Sequence, residues 1–276
     1  MKKKLALILA GTAMAAMVLA GCGEKNNASG EDVKTAESVE DKKTFTVGFD
    51  AEYPPYGYMD ENGEYTGFDL ELAEAVCKLE GWELVKKPLN WDSKDMELNS
   101  GSIDCIWNGF TMNGREDDYT FSTPYVYNSQ VIVVAEKSGI DTLEDLAGKT
   151  VGVQAASAAL DLLQSEEEGG QKKLADTFGA LNEFADYNTA FTELQAGALD
   201  ALAIDVGVAN YQIKSRGEGY KILDETLNTE QYAIGFKKGN QELCDVVNAD
   251  LKKLTEDGTV AKLAEKYEIE DMVTLK

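Results

Sequence analysis

Two segments of the chain are near copies of one another. Glu97-Leu98-Asn99-Ser100-Gly101-Ser102-Ile103-Asp104 is matched by Glu193-Leu194-Gln195-Ala196-Gly197-Ala198-Leu199-Asp200. Each reads as the end of a helix, a capping glycine and the first residues of a strand. Upstream of each copy lies a second echo: Thr46-Val47-Gly48-Phe49-Asp50-Ala51 recurs as Thr150-Val151-Gly152-Val153-Gln154-Ala155. Both echoes come in the same order, so one β-α-β grammar occurs twice and predicts two α/β lobes of similar build. Strands that alternate with helices favour parallel sheets, whose ligand sites lie at the carboxyl ends of the strands.

The remaining elements fit that plan. Phe45 to Phe49 reads as a strand, and Pro54-Pro55 forces an extended loop after it. Asn62-Gly63 marks a turn. Phe68, Leu70, Leu72, Ala73, Val76, Cys77 and Leu79 recur at helical spacing, which predicts a helix over 69–80 closed by Gly81. Glu83 to Lys87 is a second strand, and Met96 to Ser100 a helical turn. The extended apolar runs 128–136 and 230–236 are expected to be the crossover strands of a hinge. The pattern therefore predicts lobe 1 over 44–131 and 232–276, and lobe 2 over 132–231. Amphipathic helices over 242–255 and 260–267 are expected to pack back on lobe 1.

At 276 residues and 43% hydrophobic content, the chain is long enough for two such cores. Residues 1–21 are not counted in them. Lys2, Lys3 and Lys4 followed by the short apolar run Leu5 to Leu19 describe an export signal. Leu19-Ala20-Gly21-Cys22 matches a bacterial lipobox, which predicts cleavage before Cys22, a lipid on that cysteine and anchoring to the cell membrane. Residues 23–43 are polar and small and read as a flexible tether. Losing residues 1–21 removes three lysines and takes the formal net charge from −24 to −27. Such a polyanion is not a nucleic-acid binder. The chain has no histidine, which excludes a His-based triad or metal site. Cys77, Cys105 and Cys244 are odd in number and set among apolar neighbours, so buried thiols are expected, and no metal or cofactor site is read from them.

The polar residues that stand out lie at strand ends. The run Ile103 to Trp107 stops at Asn108-Gly109, where backbone N–H groups come free; Thr111 and Arg115 follow. Together they can hold a carboxylate, since Arg presents a planar pair of donors; Arg115 equally reads as a surface arginine among Glu116, Asp117 and Asp118. In the second copy, the strand Leu199 to Ile204 ends at Asp205. That residue is either the N-cap of the helix that follows or the counter-ion of an ammonium group. An Arg and an Asp facing each other across a cleft would suit a zwitterion. Trp91 reads either as core between Leu89 and Met96 or as a loop aromatic against a ligand.

Over roughly residues 44–270 the chain resembles the extracytoplasmic solute-binding proteins of amino-acid ABC importers. The resemblance rests on Gly67-Phe68-Asp69-Leu70-Glu71-Leu72, on Asp50, Tyr53 and Pro55, and on Thr111 and Arg115 with Phe121-Ser122. Gly152-Val153-Gln154 with Ser157, and Leu199-Asp200 through Asp205, complete it. It implies a periplasmic-binding-protein-like α/β fold, a two-lobed Venus flytrap with two hinge crossings, no enzyme activity and no cofactor. The ligand implied is one L-amino acid, polar or basic, delivered to an ABC permease by a monomer. Carried over by position, Arg115 binds the α-carboxylate with Thr111 and the backbone of Gly109 and Ser157. Asp205 binds the α-ammonium, Tyr53 and Trp91 sandwich the side chain, and Asp50 and Asn108 lie at the same mouth. The chain departs from the family at Asn108, at Ala156 in place of a glycine, at Ala158 in place of a hydroxyl, and at a short Met112-Asn113-Gly114. A dehydratase of small carboxylic acids using Glu52 or Asp50, or a ligand-sensing receptor partner, are the other activities this fold can carry.

Overall fold

The computed structural model describes residues 39–217 and 219–276. The export signal, Cys22 and the tether up to residue 38 lie outside the described residues. The last part of the expected tether is packed: Val39–Asp41 forms a short 3-10 turn, and Lys42 Nζ reaches Asp104 at 2.6 Å.

The protein is two-lobed, and the two copies of the β-α-β grammar build two sheets of the same strand order. In the first sheet, Glu83–Pro88, Thr44–Phe49 and Cys105–Ile106 run parallel, with Thr44–Phe49 in the middle. In the second, Ala180–Phe184, Thr150–Gln154 and Ala201–Asp205 repeat that arrangement around Thr150–Gln154. The echoed residues do equivalent work. Gly101 and Gly197 both close their helices in the left-handed conformation, at φ 75°. Asp104 and Asp200 then each accept a backbone N–H of the neighbouring first strand, from Thr46 at 2.7 Å and from Thr150 at 2.8 Å. Gly48 and Gly152 are glycines because a Cβ there would meet Ile103 or Leu199 at 2.5 Å. A side chain at either position would have to displace the terminal methyls packed over the first strand.

Beyond the repeats, each sheet is completed by antiparallel strands. Gly235–Lys237 and Tyr119–Phe121 extend the first; Val126–Ala135, Tyr220–Ile222 and Asn228–Tyr232 extend the second. Of the two runs read as hinge strands, 230–236 holds a passage between the sheets and 128–136 does not. Val126–Ala135 lies along its whole length in the second sheet, because its apolar residues alternate between two covered faces. The run 230–236 breaks, with Asn228–Tyr232 in the second sheet and Gly235–Lys237 in the first. The chain passes between sheets at 122–125 and again at 233–234.

The helix expected at 69–80 spans Phe68–Glu80, and Gln241–Glu256 and Thr259–Tyr267 pack against it. Leu243, Cys244, Val247, Leu251 and Leu254 recur at helical spacing and are all buried. Cys77, Cys105 and Cys244 are buried and unpaired, as their apolar neighbours suggest. Among the described residues no helix is long and apolar enough to cross a membrane.

One buried acid joins the first helix to the end of the first lobe's third strand. Asp69, fully buried in the first turn of Phe68–Glu80, accepts the backbone N–H of Gly109 at 2.6 Å and the hydroxyl of Tyr125 at 2.7 Å. Burial pushes its carboxyl up to about 7. Asp69→Ala orphans both donors and is expected to destabilise the fold by about 2–4 kcal/mol in urea denaturation, with Asp69→Asn losing less because one acceptor oxygen remains. A change under about 0.5 kcal/mol for the alanine variant would show that this tie carries no stability.

Candidate functional site

The polar residues converge where the parallel strands of both sheets end. Thr44–Phe49 hands over to Asp50, Cys105–Ile106 leads to Gly109 and Thr111, Thr150–Gln154 ends on Gln154, and Ala201–Asp205 ends on Asp205. Between these ends lies a slot lined by Tyr53, Trp91, Gly109, Thr111, Arg115 and Asp205, with Gln154, Ser157 and Ala158 closing it from the second lobe. Its free space is about 10 Å³, roughly one water. Seven of the nine residues read from the sequence are brought together there. Asp50 stands beside it, and Asn108 lies behind it.

Arg115 is not a free surface arginine. Its guanidinium lies 5.1 Å over the Phe110 ring, donates to the backbone oxygen of Thr111 at 3.3 Å and pairs with Asp161 at 2.7 Å. Asp161 sits on the helix Ala158–Gln164 of the other lobe, so the ion pair spans the cleft. Ser157 caps that helix, its Oγ accepting the N–H of Leu160. The residue before it, Ala156, holds the left-handed conformation at φ 54°, a backbone that favours the glycine from which this chain departs. Its carbonyl accepts Lys94 Nζ of the first lobe at 3.2 Å.

At the opposite end, Asp205 precedes the helix Val206–Arg216 but makes no side-chain cap to it. Its carboxylate turns inward, accepting Tyr232 OH at 2.6 Å, Gln130 Nε2 at 2.7 Å and Asn128 Nδ2 at 2.8 Å. Burial nonetheless raises its pKa. Tyr53 reaches the Tyr232 hydroxyl at 3.3 Å and packs against Tyr56 and Tyr187, so aromatic rings wall off this end. Trp91 serves both of its readings: it packs edge-on against Phe110 in a small core cluster, and it also faces the slot.

Asp50 accepts Gln154 Nε2 at 2.6 Å and the N–H of Glu52 at 2.8 Å, and burial pushes it up to about 6. It borders a larger hollow of about 470 Å³ next to the slot, whose lining also holds Glu52, Glu97 and Asp186. Asn108 is buried against Gly57, and neither amide atom has a hydrogen-bond partner among the described residues. A third hollow of about 620 Å³, between Tyr58, Tyr211 and Tyr267, is remote from these charges.

Several site residues went unmarked in the sequence. Glu230 accepts the Thr111 hydroxyl at 2.8 Å, and Asn128 and Gln130 each donate to it as well as to Asp205. The available signal was the pair Asn128 and Gln130, two amides at strand spacing leading into the apolar run Val131 to Ala135. Asp161 carried no signal, being one acid among many on an acidic chain.

Known proteins agree with this architecture. Residues 45–270 match the family of bacterial extracellular solute-binding proteins, family 3. The chain is 30% identical over 257 residues to the L-cystine-binding protein TcyJ of Escherichia coli strain K12, covering 92% of each chain. It is 33% identical over 271 residues to the arginine-binding extracellular protein ArtP of Bacillus subtilis strain 168, covering 97% of this chain and 98% of that one. The crystal structure of an ABC uptake transporter substrate-binding protein from Streptococcus pneumoniae with bound histidine superposes with a TM-score of 0.80 at 33% identity, over 86% of this chain and 96% of that one. With a family match over most of its length and a repeated α/β fold whose strand ends meet at one slot, the chain belongs to the bacterial extracellular solute-binding proteins of family 3.

Proposed function

We infer that the protein captures one free L-amino acid between its lobes and passes it to an ABC permease. The observation that carries this is one slot lined by an arginine, a buried aspartate and two aromatic rings. Arg115 takes the α-carboxylate as a two-pronged donor, helped by Thr111 and the N–H groups of Gly109 and Ser157. Asp205 takes the α-ammonium, and Tyr53 and Trp91 hold the side chain. The side chain points toward the acid-lined hollow of Asp50, Glu52, Glu97 and Asp186, which favours a basic or polar group. Because the slot holds roughly one water, entry requires the lobes to part about the passages at 122–125 and 233–234. Asn108 supports this surface from behind.

The protein is a binder and not an enzyme in this reading: TcyJ and ArtP are both named as binding proteins. It is exported through the signal 1–21, carries thioether-linked lipid and amide-linked palmitate on Cys22, and works as a monomer outside the cytoplasm, anchored to the cell membrane. Mass spectrometry of the membrane fraction, with Cys22→Ala releasing the protein to the medium, tests the anchor.

The two ends of the Arg115–Asp161 pair should answer differently. Arg115→Ala is expected to lose about 2–5 kcal/mol of amino-acid binding by calorimetry, and Arg115→Lys to recover little of it. Asp161→Ala removes an exposed partner that competes for the same guanidinium. Stability should then change by under about 1 kcal/mol, and binding should hold or tighten. Arg115→Ala binding within a few-fold of the unmodified protein would remove the carboxylate assignment.

A thermal-shift and calorimetry panel decides the side chain. L-arginine, L-histidine, L-glutamine or L-cystine should bind at least about tenfold tighter than L-leucine, the worth of roughly one charge-assisted bond. The L enantiomer should be preferred over D. If leucine or valine binds tighter than every polar amino acid, the pocket reading fails even if the clamp stands.

A further inference from the structure

The Asp205 end of the slot holds a second carboxylate that the clamp does not use. Asp205 and Glu230 lie on strands either side of Val126–Ala135, with Asp205 in register with Gln130 and Glu230 with Asn128. Side chains at 128 and 130 share one face of that strand, so both amides reach both acids. Asn128 Nδ2 lies 2.8 Å from Asp205 and 2.8 Å from Glu230; Gln130 Nε2 lies 2.7 Å and 2.8 Å from them. All four amide hydrogens are spent on the pair. The other donors are hydroxyls: Thr111 to Glu230, and Tyr232 with Tyr53 beside it to Asp205. The amide oxygens of Asn128 and Gln130 are buried without a partner among the described residues. The cluster thus has acceptors in excess, and two neighbouring carboxylates buried on that pattern cannot both stay charged without a cation.

We propose that Glu230 is the second carboxylate of the ammonium site: without an amino acid the Asp205–Glu230 pair holds one proton, and the bound α-ammonium displaces that proton to solvent. The inference rests on reading Asp205 as the ammonium partner. Proton and ammonium then alternate as the single cation of the same acceptor cluster. Charge balances, since a protonated pair plus an ammonium gives an ionised pair plus that ammonium, with H⁺ passing to buffer. Facing groups come from every packed element: Tyr53 and Tyr56 from the first lobe, Tyr187 from the helix Tyr187–Ala196, and Tyr232 from the strand of Glu230 itself. Burial lifts all four phenols well above their ordinary range, so none ionises near neutrality. Arg115 lines the same slot and is held by Asp161. Burial, with Asp205 beside it, raises Glu230 to about 7, which agrees with a proton shared near neutral pH.

Two measurements test this, one without any amino acid. A carboxyl raised in the folded state adds stability that is complete below the unfolded value and is lost as pH rises through the folded one, about 7. Urea denaturation between pH 5 and 7.5 should show the folded-to-unfolded ratio of the unmodified protein falling faster than that of the Asp205→Asn/Glu230→Gln double variant, which removes both acids of the pair, by up to about tenfold per pH unit. Asp50 and Asp69, also raised, are common to both proteins and cancel. Parallel curves would overturn the proposal. In the second, the unmodified protein is titrated with L-arginine, L-histidine, L-glutamine and L-cystine at pH 6.5 in phosphate and in Tris. Close to one proton should be released per amino acid bound, with affinity rising as the pH rises toward 7, by up to about tenfold per pH unit. Zero protons released overturns the proposal, and this arm stands even if the double variant does not fold. If none of the four binds, or if Asp205→Asn binds as tightly as the unmodified protein, the ammonium reading fails, and the urea curves still decide whether the pair holds a proton.

Discussion

A carboxylate at the end of an apolar strand is expensive to bury, and the neighbourhood of Asp205 is shaped by that cost. Three of its partners come from distant parts of the chain: Asn128 and Gln130 from one strand and Tyr232 from another. The register that brings them together also brings Glu230, so the arrangement that solvates one acid concentrates a second. The tyrosines around them keep water out and strengthen every interaction inside. The result is a buried cluster with more acceptors than donors, which suits the ammonium end proposed for it.

The contacts that cross the cleft are of a different kind. Arg115 to Asp161, Asp50 to Gln154, Lys94 to the Ala156 carbonyl and Glu52 to Asn188 each join one lobe to the other. Exposed pairs such as Arg115–Asp161, with the aspartate 62% exposed, are worth little each. The Asp50–Gln154 bond and the packing of Tyr53 on Tyr187 are buried and form the firmer part of the closure. A ligand that touches both lobes adds to the bias toward the closed form.

The chain's repeat was readable because its causes are local. Gly101 and Gly197 end helices through hydrogen bonds within six residues, Asp104 and Asp200 follow at fixed spacing, and Gly48 and Gly152 mark where methyls pack close over a strand. Asp205 stood out as a charge at the end of an apolar run, and Arg115 as a guanidinium following the free N–H groups and hydroxyl past another. Of the two hinge runs, 230–236 was read rightly and 128–136 was not, because apolar character alone does not tell a strand inside a sheet from one that passes between sheets. Val126–Ala135 took its place through pairing with three strands, none of them its immediate neighbour in sequence.

What the sequence by itself determined is the alternation of elements, the doubled α/β plan and the polar strand ends, all properties of short windows with a defined period. What only the tertiary structure decided is partnership. Nothing in the sequence around Glu230 indicates that it will face Asp205, because that meeting depends on the register of two strands against a third drawn from a different part of the chain. Asp161 likewise found Arg115 only when two lobes came together. Periodicity is written into neighbouring residues, whereas the pairing of buried charges is settled by which strands lie side by side.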